Sequence, residues 1–136
     1  MRYPFLLHWV IPILFVFNTG LKTMNGVMIA NADPNPKSKV YYGIASYYAD
    51  KFNGRETANG EIYDHKKLTA ACNILPLGTW IRVTNLKNNK SVIVKTNDRL
   101  HPRMKRIVDL SRSAAEKLAY TGRGLTQVKV EVIEKD

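Results

Sequence analysis

Asp98 lies just past the apolar run Ser91 to Thr96, with Asn97 between, and is followed at once by Arg99. Those residue types allow either a carboxyl group delivered to the end of a strand or a plain ion pair there. Glu61 lies in a glycine-containing segment before Tyr63 that reads as a loop, where a carboxylate orients a ligand or simply faces water. Cys72 is the single cysteine of the chain, so no internal disulfide forms, and no neighbour is an obvious base to activate its thiol. His65 and His101 stand apart, and no His, Cys, Asp and Glu residues share a metal-ligand spacing, so neither metal nor cofactor is expected. Tyr47, Tyr48, Phe52, Tyr63 and Trp80 offer the flat apolar faces on which sugar rings stack, although alternating aromatics in strands most often belong to a core.

The elements that must position these residues are short and alternate between apolar and polar. Tyr42 to Tyr48, Trp80 to Thr84, Ser91 to Thr96 and Gln127 to Val132 each show a period of two, which predicts half-buried strands. Asn85 to Lys90 lies between the second and third, and its asparagines suit the positive φ of a tight turn, so a hairpin is expected there. Asp109 to Ala119 predicts a short helix, capped by Ser111 or by Ser113 with Glu116 in a capping box. Leu110, Ala114, Ala115 and Leu118 lie on its inner face, and Gly122 and Gly124 terminate it. Short strands with one helix and no repeat describe a small β-barrel or a compact α+β domain.

The chain has 136 residues, enough for one domain. It opens Met1-Arg2-Tyr3-Pro4, then runs almost without a polar group from Phe5 to Phe17 and reaches Ala30-Asn31-Ala32. This is the pattern of a cleaved export signal over residues 1–32, a retained anchor being the alternative. Residues 33–39, with Pro34 and Pro36, read as a linker, and the domain is expected over 40–134. The chain carries 21 Lys+Arg against 11 Asp+Glu; Arg2 and Lys22 precede Asp33, leaving 19 against 11, or +8, for the remainder. A basic surface attracts polyanions such as nucleic acid, anionic lipid or a carboxylate-bearing cell wall. Export to the periplasm or cell envelope makes nucleic acid the least suited of these. No cysteine lies near Ala32, so no lipidation is expected, and the protein is expected to be a monomer.

Gly43-Ile44-Ala45-Ser46-Tyr47-Tyr48 is followed by Phe52-Asn53-Gly54-Arg55-Glu56-Thr57-Ala58-Asn59-Gly60-Glu61-Ile62-Tyr63-Asp64. In the same order come Leu68-Thr69-Ala70-Ala71, Leu75-Pro76-Leu77-Gly78-Thr79, Arg82-Val83-Thr84-Asn85-Leu86, Asn97-Asp98-Arg99 and Arg106-Ile107-Val108-Asp109-Leu110-Ser111. Together these blocks, from Tyr42 to Ile133, resemble the rare lipoprotein A (RlpA)-like family. The resemblance implies a mainly β fold, a six-stranded double-psi β-barrel of the RlpA, barwin and expansin type, with one or two short helices. It also implies lytic transglycosylase activity on peptidoglycan strands, cleaving the MurNAc-GlcNAc bond with formation of 1,6-anhydromuramic ends. The alternative is a non-catalytic, expansin-like barrel that binds the wall without cutting it.

Glycosidic cleavage needs a carboxylic acid to protonate the leaving oxygen and relief for the oxocarbenium-like charge on the sugar. A lytic transglycosylase then takes the proton from the muramic C6 hydroxyl and closes the anhydro ring without water. The resemblance implies Asp98 as acid and then base, with Glu61 assisting. Tyr48 and Tyr63 are expected to face a substrate groove, and Arg55 and Arg99 to meet carboxylates of the wall. The sequence departs from the family where a histidine follows the Thr-Ala-Ala block. Cys72 stands in that place, expected beside substrate, and a thiol is a weaker donor than imidazole. Leu100-His101-Pro102 departs a second time, where the common form has Gly-Pro.

Overall fold

Alternating burial sets the strands of the computed structural model, which describes residues 39–135 and, before them, two short strands. These are β1 (Thr23–Met24) and β2 (Val27–Met28), paired antiparallel with Thr23 opposite Met28. Apart from those four residues, the expected export signal and the linker up to residue 38 lie outside the described residues.

From residue 40 the chain forms β3 (Val40–Tyr47), a 3-10 turn (Asp50–Phe52), β4 (Thr69–Ala71), β5 (Trp80–Asn85), β6 (Ser91–Asp98), β7 (Val108–Leu110), helix α1 (Arg112–Lys117) and β8 (Thr126–Val132). Six strands close into a barrel in the order β3-β7-β4-β6-β5-β8. The pairs β3 with β7 and β4 with β6 are parallel, while the other four contacts are antiparallel. This is the barrel expected from the ordered motifs.

Inward positions of every strand fill the interior: Ile81 and Val83, Val92 and Val94, Val108 and Leu110, Val128 and Val130, with small Ala45 and Ala70 where the strands crowd. Ala114, Ala115 and Leu118 of α1 join the same core. The hairpin expected at Asn85 to Lys90 joins β5 to β6, pairing Thr84 with Ser91, and Asn89 takes the positive φ of 59° there. Asn85 is buried, donates to the Leu118 carbonyl at 2.9 Å and accepts from the Thr126 hydroxyl at 2.8 Å, so one amide ties hairpin, helix end and β8 together.

The helix is shorter than the sequence pattern suggests. Asp109 and Leu110 belong to β7, because Leu110 is buried as a strand residue paired with Tyr47 of β3 and Ala70 of β4. Ser111 is the N-cap, its hydroxyl accepting from the Ala114 N–H at 3.3 Å, whereas Ser113 lies inside the helix. The end also differs: α1 ends at Lys117 with Leu118 as its C-cap, and the next residue, Ala119, has a left-handed φ of 55°, five residues before the first positive-φ glycine after it, Gly124. Left-handed backbone strains any residue with a Cβ, and glycine is the usual occupant of this place. Ala119→Gly is therefore expected to stabilise the domain by about 1 kcal/mol, read as a higher urea midpoint at unchanged slope.

Candidate active site

The end of β6 departs from strand alternation at one place. Val92, Val94 and Thr96 point inward, so an unbroken strand would bury Asp98 as well. Instead Ala70 pairs with Thr96 and Ala71 with Asp98, leaving Asn97 as an extra residue. This β-bulge buries Asn97 beside Thr96 and re-aims Asp98 so that it is half-buried in the wall of a cavity of about 570 Å³.

Three donors fix the Asp98 carboxylate. The Tyr48 hydroxyl donates to Oδ2 at 2.5 Å, and the N–H groups of Ala58 and Arg99 donate to Oδ1 at 2.9 and 2.8 Å. Burial, and next the hydrogen bond to Asp98, push the Tyr48 phenol above the ordinary tyrosine range, so it stays a proton donor at neutral pH. Its ring stacks on Tyr63 with centroids 4.1 Å apart and 24° between planes, and meets Phe52 edge-on at 5.9 Å. Tyr63 lines the same cavity but is only 2% exposed, so it backs Tyr48 more than it presents a face of its own.

Arg55 is exposed at the cavity with its guanidinium 5.2 Å from the Phe52 ring, and Lys51 lies 5.3 Å from that ring. Arg99 also lines the cavity, but its guanidinium is occupied by the backbone carbonyls of Cys72 and, at 2.6 Å, Leu75. Through Nη1, Arg99 thus staples the loop that carries Cys72 and Leu75. Cys72 is fully buried in the hydrophobic core, and the cavity is floored by its neighbour Ala71. The expectation of a thiol beside substrate is corrected accordingly, because an apolar-packed Cys72 reaches the site only through its backbone, its N–H 3.0 Å from the Asp98 carbonyl and its own carbonyl on Arg99. Glu61 is exposed and lies outside the cavity lining. Its Oε2 accepts from the Asn97 amide at 3.1 Å, and that hydrogen bond, with Asn59 second, holds its carboxyl below the usual glutamate range.

The structure adds residues that sequence reasoning did not select. Glu56 and Asp109 line the cavity with Asp98, and Arg106 grips Asp109 through two hydrogen bonds of 2.8 and 3.1 Å. Asp109 and Asp98 pair with Ala71 from opposite sides, two strand spacings or roughly 10 Å apart along one row. Small Ala71 between them leaves the floor open. Treating Asp109 as a helix residue hid its strand parity, which sets it between buried Val108 and Leu110.

Tyr120 shares the titration behaviour of Tyr48: burial, and then the charge of Asp109, raise its phenol, which donates to the Ser46 carbonyl at 2.7 Å. A phenol whose pKa is raised by folding contributes stability that is whole below the ordinary value of 10.0 and is lost as pH climbs toward the raised value. Urea unfolding between pH 8 and 11 is expected to show stability falling above pH ~10, with Tyr120→Phe giving a shallower fall.

Residues 41–130 match the lytic transglycolase family. The chain is 46% identical over 97 residues to the endolytic peptidoglycan transglycosylase RlpA of Haemophilus influenzae, covering 71% of this chain and 34% of that protein. It is 53% identical over 92 residues to the protein of that name from Pseudomonas aeruginosa, covering 68% and 27%. The Neisseria meningitidis protein of that name is 44% identical over 109 residues, covering 77% and 46%. The chain thus spans less than half the length of these relatives. Among solved structures, a Streptomyces papain inhibitor superposes with a TM-score of 0.58 at 24% identity, covering 71% of this chain and 96% of that one. A Clavibacter michiganensis expansin superposes at 0.57 and 19% identity, covering 72% and 52%. Both likenesses concern the fold. With a family match over residues 41–130 and relatives 46% and 53% identical over the barrel, the chain belongs to the lytic transglycolase family, as an RlpA-like double-psi β-barrel.

Proposed function

We propose that this protein is an endolytic peptidoglycan transglycosylase of the cell envelope, with Asp98 as its acid and base. The observation that carries the reading is the Asp98 carboxyl group, turned by the Asn97 bulge into a cavity and fixed there by Tyr48 and two backbone N–H groups. In the first step protonated Asp98 gives its proton to the glycosidic oxygen as the bond to the muramic C1 breaks. In the second, the Asp98 carboxylate takes the proton of the C6 hydroxyl while that oxygen bonds C1. The anhydro ring closes, the acid is restored, and no water is consumed.

The remaining residues divide the other tasks. Asp109, clamped by Arg106 across the Ala71 floor, places fixed negative charge toward the oxocarbenium-like sugar. Glu61, beside Asn97 and beyond the 57–60 loop, orients the strand where it leaves the cavity. Arg55, set over Phe52, meets an anionic substituent of the wall, and Tyr48 supplies an aromatic edge. Arg99 and Cys72 hold the loop behind Asp98.

The test is to incubate the purified protein with peptidoglycan sacculi and with amidase-stripped glycan strands, then analyse the products by mass spectrometry. Release of 1,6-anhydromuramic ends is expected. Strand binding without such products on either substrate would replace the reading with an expansin-like wall-binding barrel.

A further inference from the structure

We propose that His65 is a positioning residue for Asp98, acting through the stacked pair Tyr63 and Tyr48; the proposal takes its catalytic meaning from the transglycosylase reading above. Tyr48 is the side chain that donates to Asp98 Oδ2, so the place of its ring decides where that oxygen points. Tyr63 covers one face of the ring at 4.1 Å. A stacked partner can slide in its own plane unless its far end is held, and the Tyr63 hydroxyl is held twice. The Arg112 N–H donates to it at 3.2 Å, and His65 Nδ1 lies 3.0 Å away.

The assignment of protons follows from the far side of the imidazole. A proton on Nε2 meets the Asp50 carboxylate, which leaves Nδ1 the acceptor of the Tyr63 hydroxyl proton while the Tyr63 oxygen accepts from Arg112. Nε2 faces Asp50 Oδ1 at 3.7 Å, and Asp50 is paired in turn with the Arg112 guanidinium at 2.7 Å. Tyr63, His65, Asp50 and Arg112 therefore form a closed ring that joins the 3-10 turn, the Tyr63 segment and the start of α1. The backbone of His65 is fixed as well, its N–H donating to Asn53 Oδ1 at 3.1 Å and its carbonyl accepting from Ser113 N–H at 3.0 Å. The imidazole thus has a fixed place from which to hold Tyr63, and its side chain, 21% exposed, makes no contact with the cavity itself.

The experiment compares the wild type with His65→Ala and His65→Asn. Asparagine keeps an acceptor where Nδ1 stood, whereas alanine keeps none. Turnover and KM are measured on soluble glycan oligosaccharides, and Tyr48 and Tyr63 are followed by NMR of 13Cζ-labelled tyrosine, assigned with Tyr48→Phe. His65→Ala is expected to lower kcat roughly tenfold with KM little changed, because a displacement well under 1 Å at the acid suffices for that. It is also expected to displace both tyrosine signals, and His65→Asn to restore rate and signals together. The proposal is overturned if His65→Asn is as slow as His65→Ala, or if His65→Ala keeps wild-type kcat with the Tyr48 signal unmoved. A wild type that makes no anhydro ends defeats the transglycosylase reading instead. The tyrosine signals then decide the positioning by themselves: displaced by alanine and restored by asparagine upholds it, and unmoved refutes it.

Discussion

Asp98→Asn is expected to lower the formation of 1,6-anhydromuramic ends by a factor of roughly 10² to 10⁴, the usual contribution of a general acid and base. The substitution removes the transferable proton and little else. The side-chain oxygen of asparagine can still accept from the N–H groups of Ala58 and Arg99, and its amide can donate to the Tyr48 hydroxyl, which reverses its role. The backbone contact from Cys72 N–H to the carbonyl at this position is unchanged. Thermal unfolding should therefore stay close to that of the wild type while product formation collapses. A variant that still forms anhydro ends at near wild-type rate would remove Asp98 from the chemistry and move attention to Asp109, the other carboxylate on the Ala71 row.

The second large effect is on stability. Gly43→Ala would place a Cβ 2.8 Å from both Cβ and Cγ2 of Ile107, closer than such atoms approach in folded proteins. Ile107 is β-branched and cannot swing its Cβ away, and its N–H is bonded to the Ile44 carbonyl at 2.9 Å where β3 meets the β7 segment. Overpacking of this kind costs about 1–3 kcal/mol, which in a domain of this size lowers Tm by about 4–8 °C per kcal/mol. Ile107→Ala in the same chain should recover part of the loss, since it removes the Cγ2 contact and the branching that holds the Cβ in place, while the Cβ contact stays; full additivity of the two losses would show that the contact is not its source. The glycine that opens the motif Gly43-Ile44-Ala45-Ser46 is thus explained by close approach, its backbone needing no unusual φ.

Much of the barrel was readable from short-range pattern. The period of two in Trp80 to Thr84, Ser91 to Thr96 and Gln127 to Val132 placed three strands within one or two residues of where they lie, because alternation is imposed by the pleat itself. The asparagine-rich turn placed the hairpin for the same local reason. By contrast β4 and β7, three residues each, are too short to show a period. Their strand character comes from pairing with each other and with partners far along the chain. For that reason Asp109 and Leu110 resembled the beginning of the helix that follows them.

What the sequence determined by itself is the set of half-buried strands, the basic charge and the family, and its ordered motif is what makes Asp98 the candidate we propose. What only the tertiary structure decided is how the site is assembled. Tyr48 reaches Asp98 across 50 residues of chain, Arg99 turns to the carbonyls of Cys72 and Leu75, Cys72 goes into the core, and Asp109 joins the cavity in place of Glu61. The physical reason is the bulge at Asn97 together with the parallel pairings of β3 with β7 and of β4 with β6. A side chain's facing is fixed by register against a distant strand, and one extra residue reverses it, so no local pattern in the sequence records which way Asp98 points.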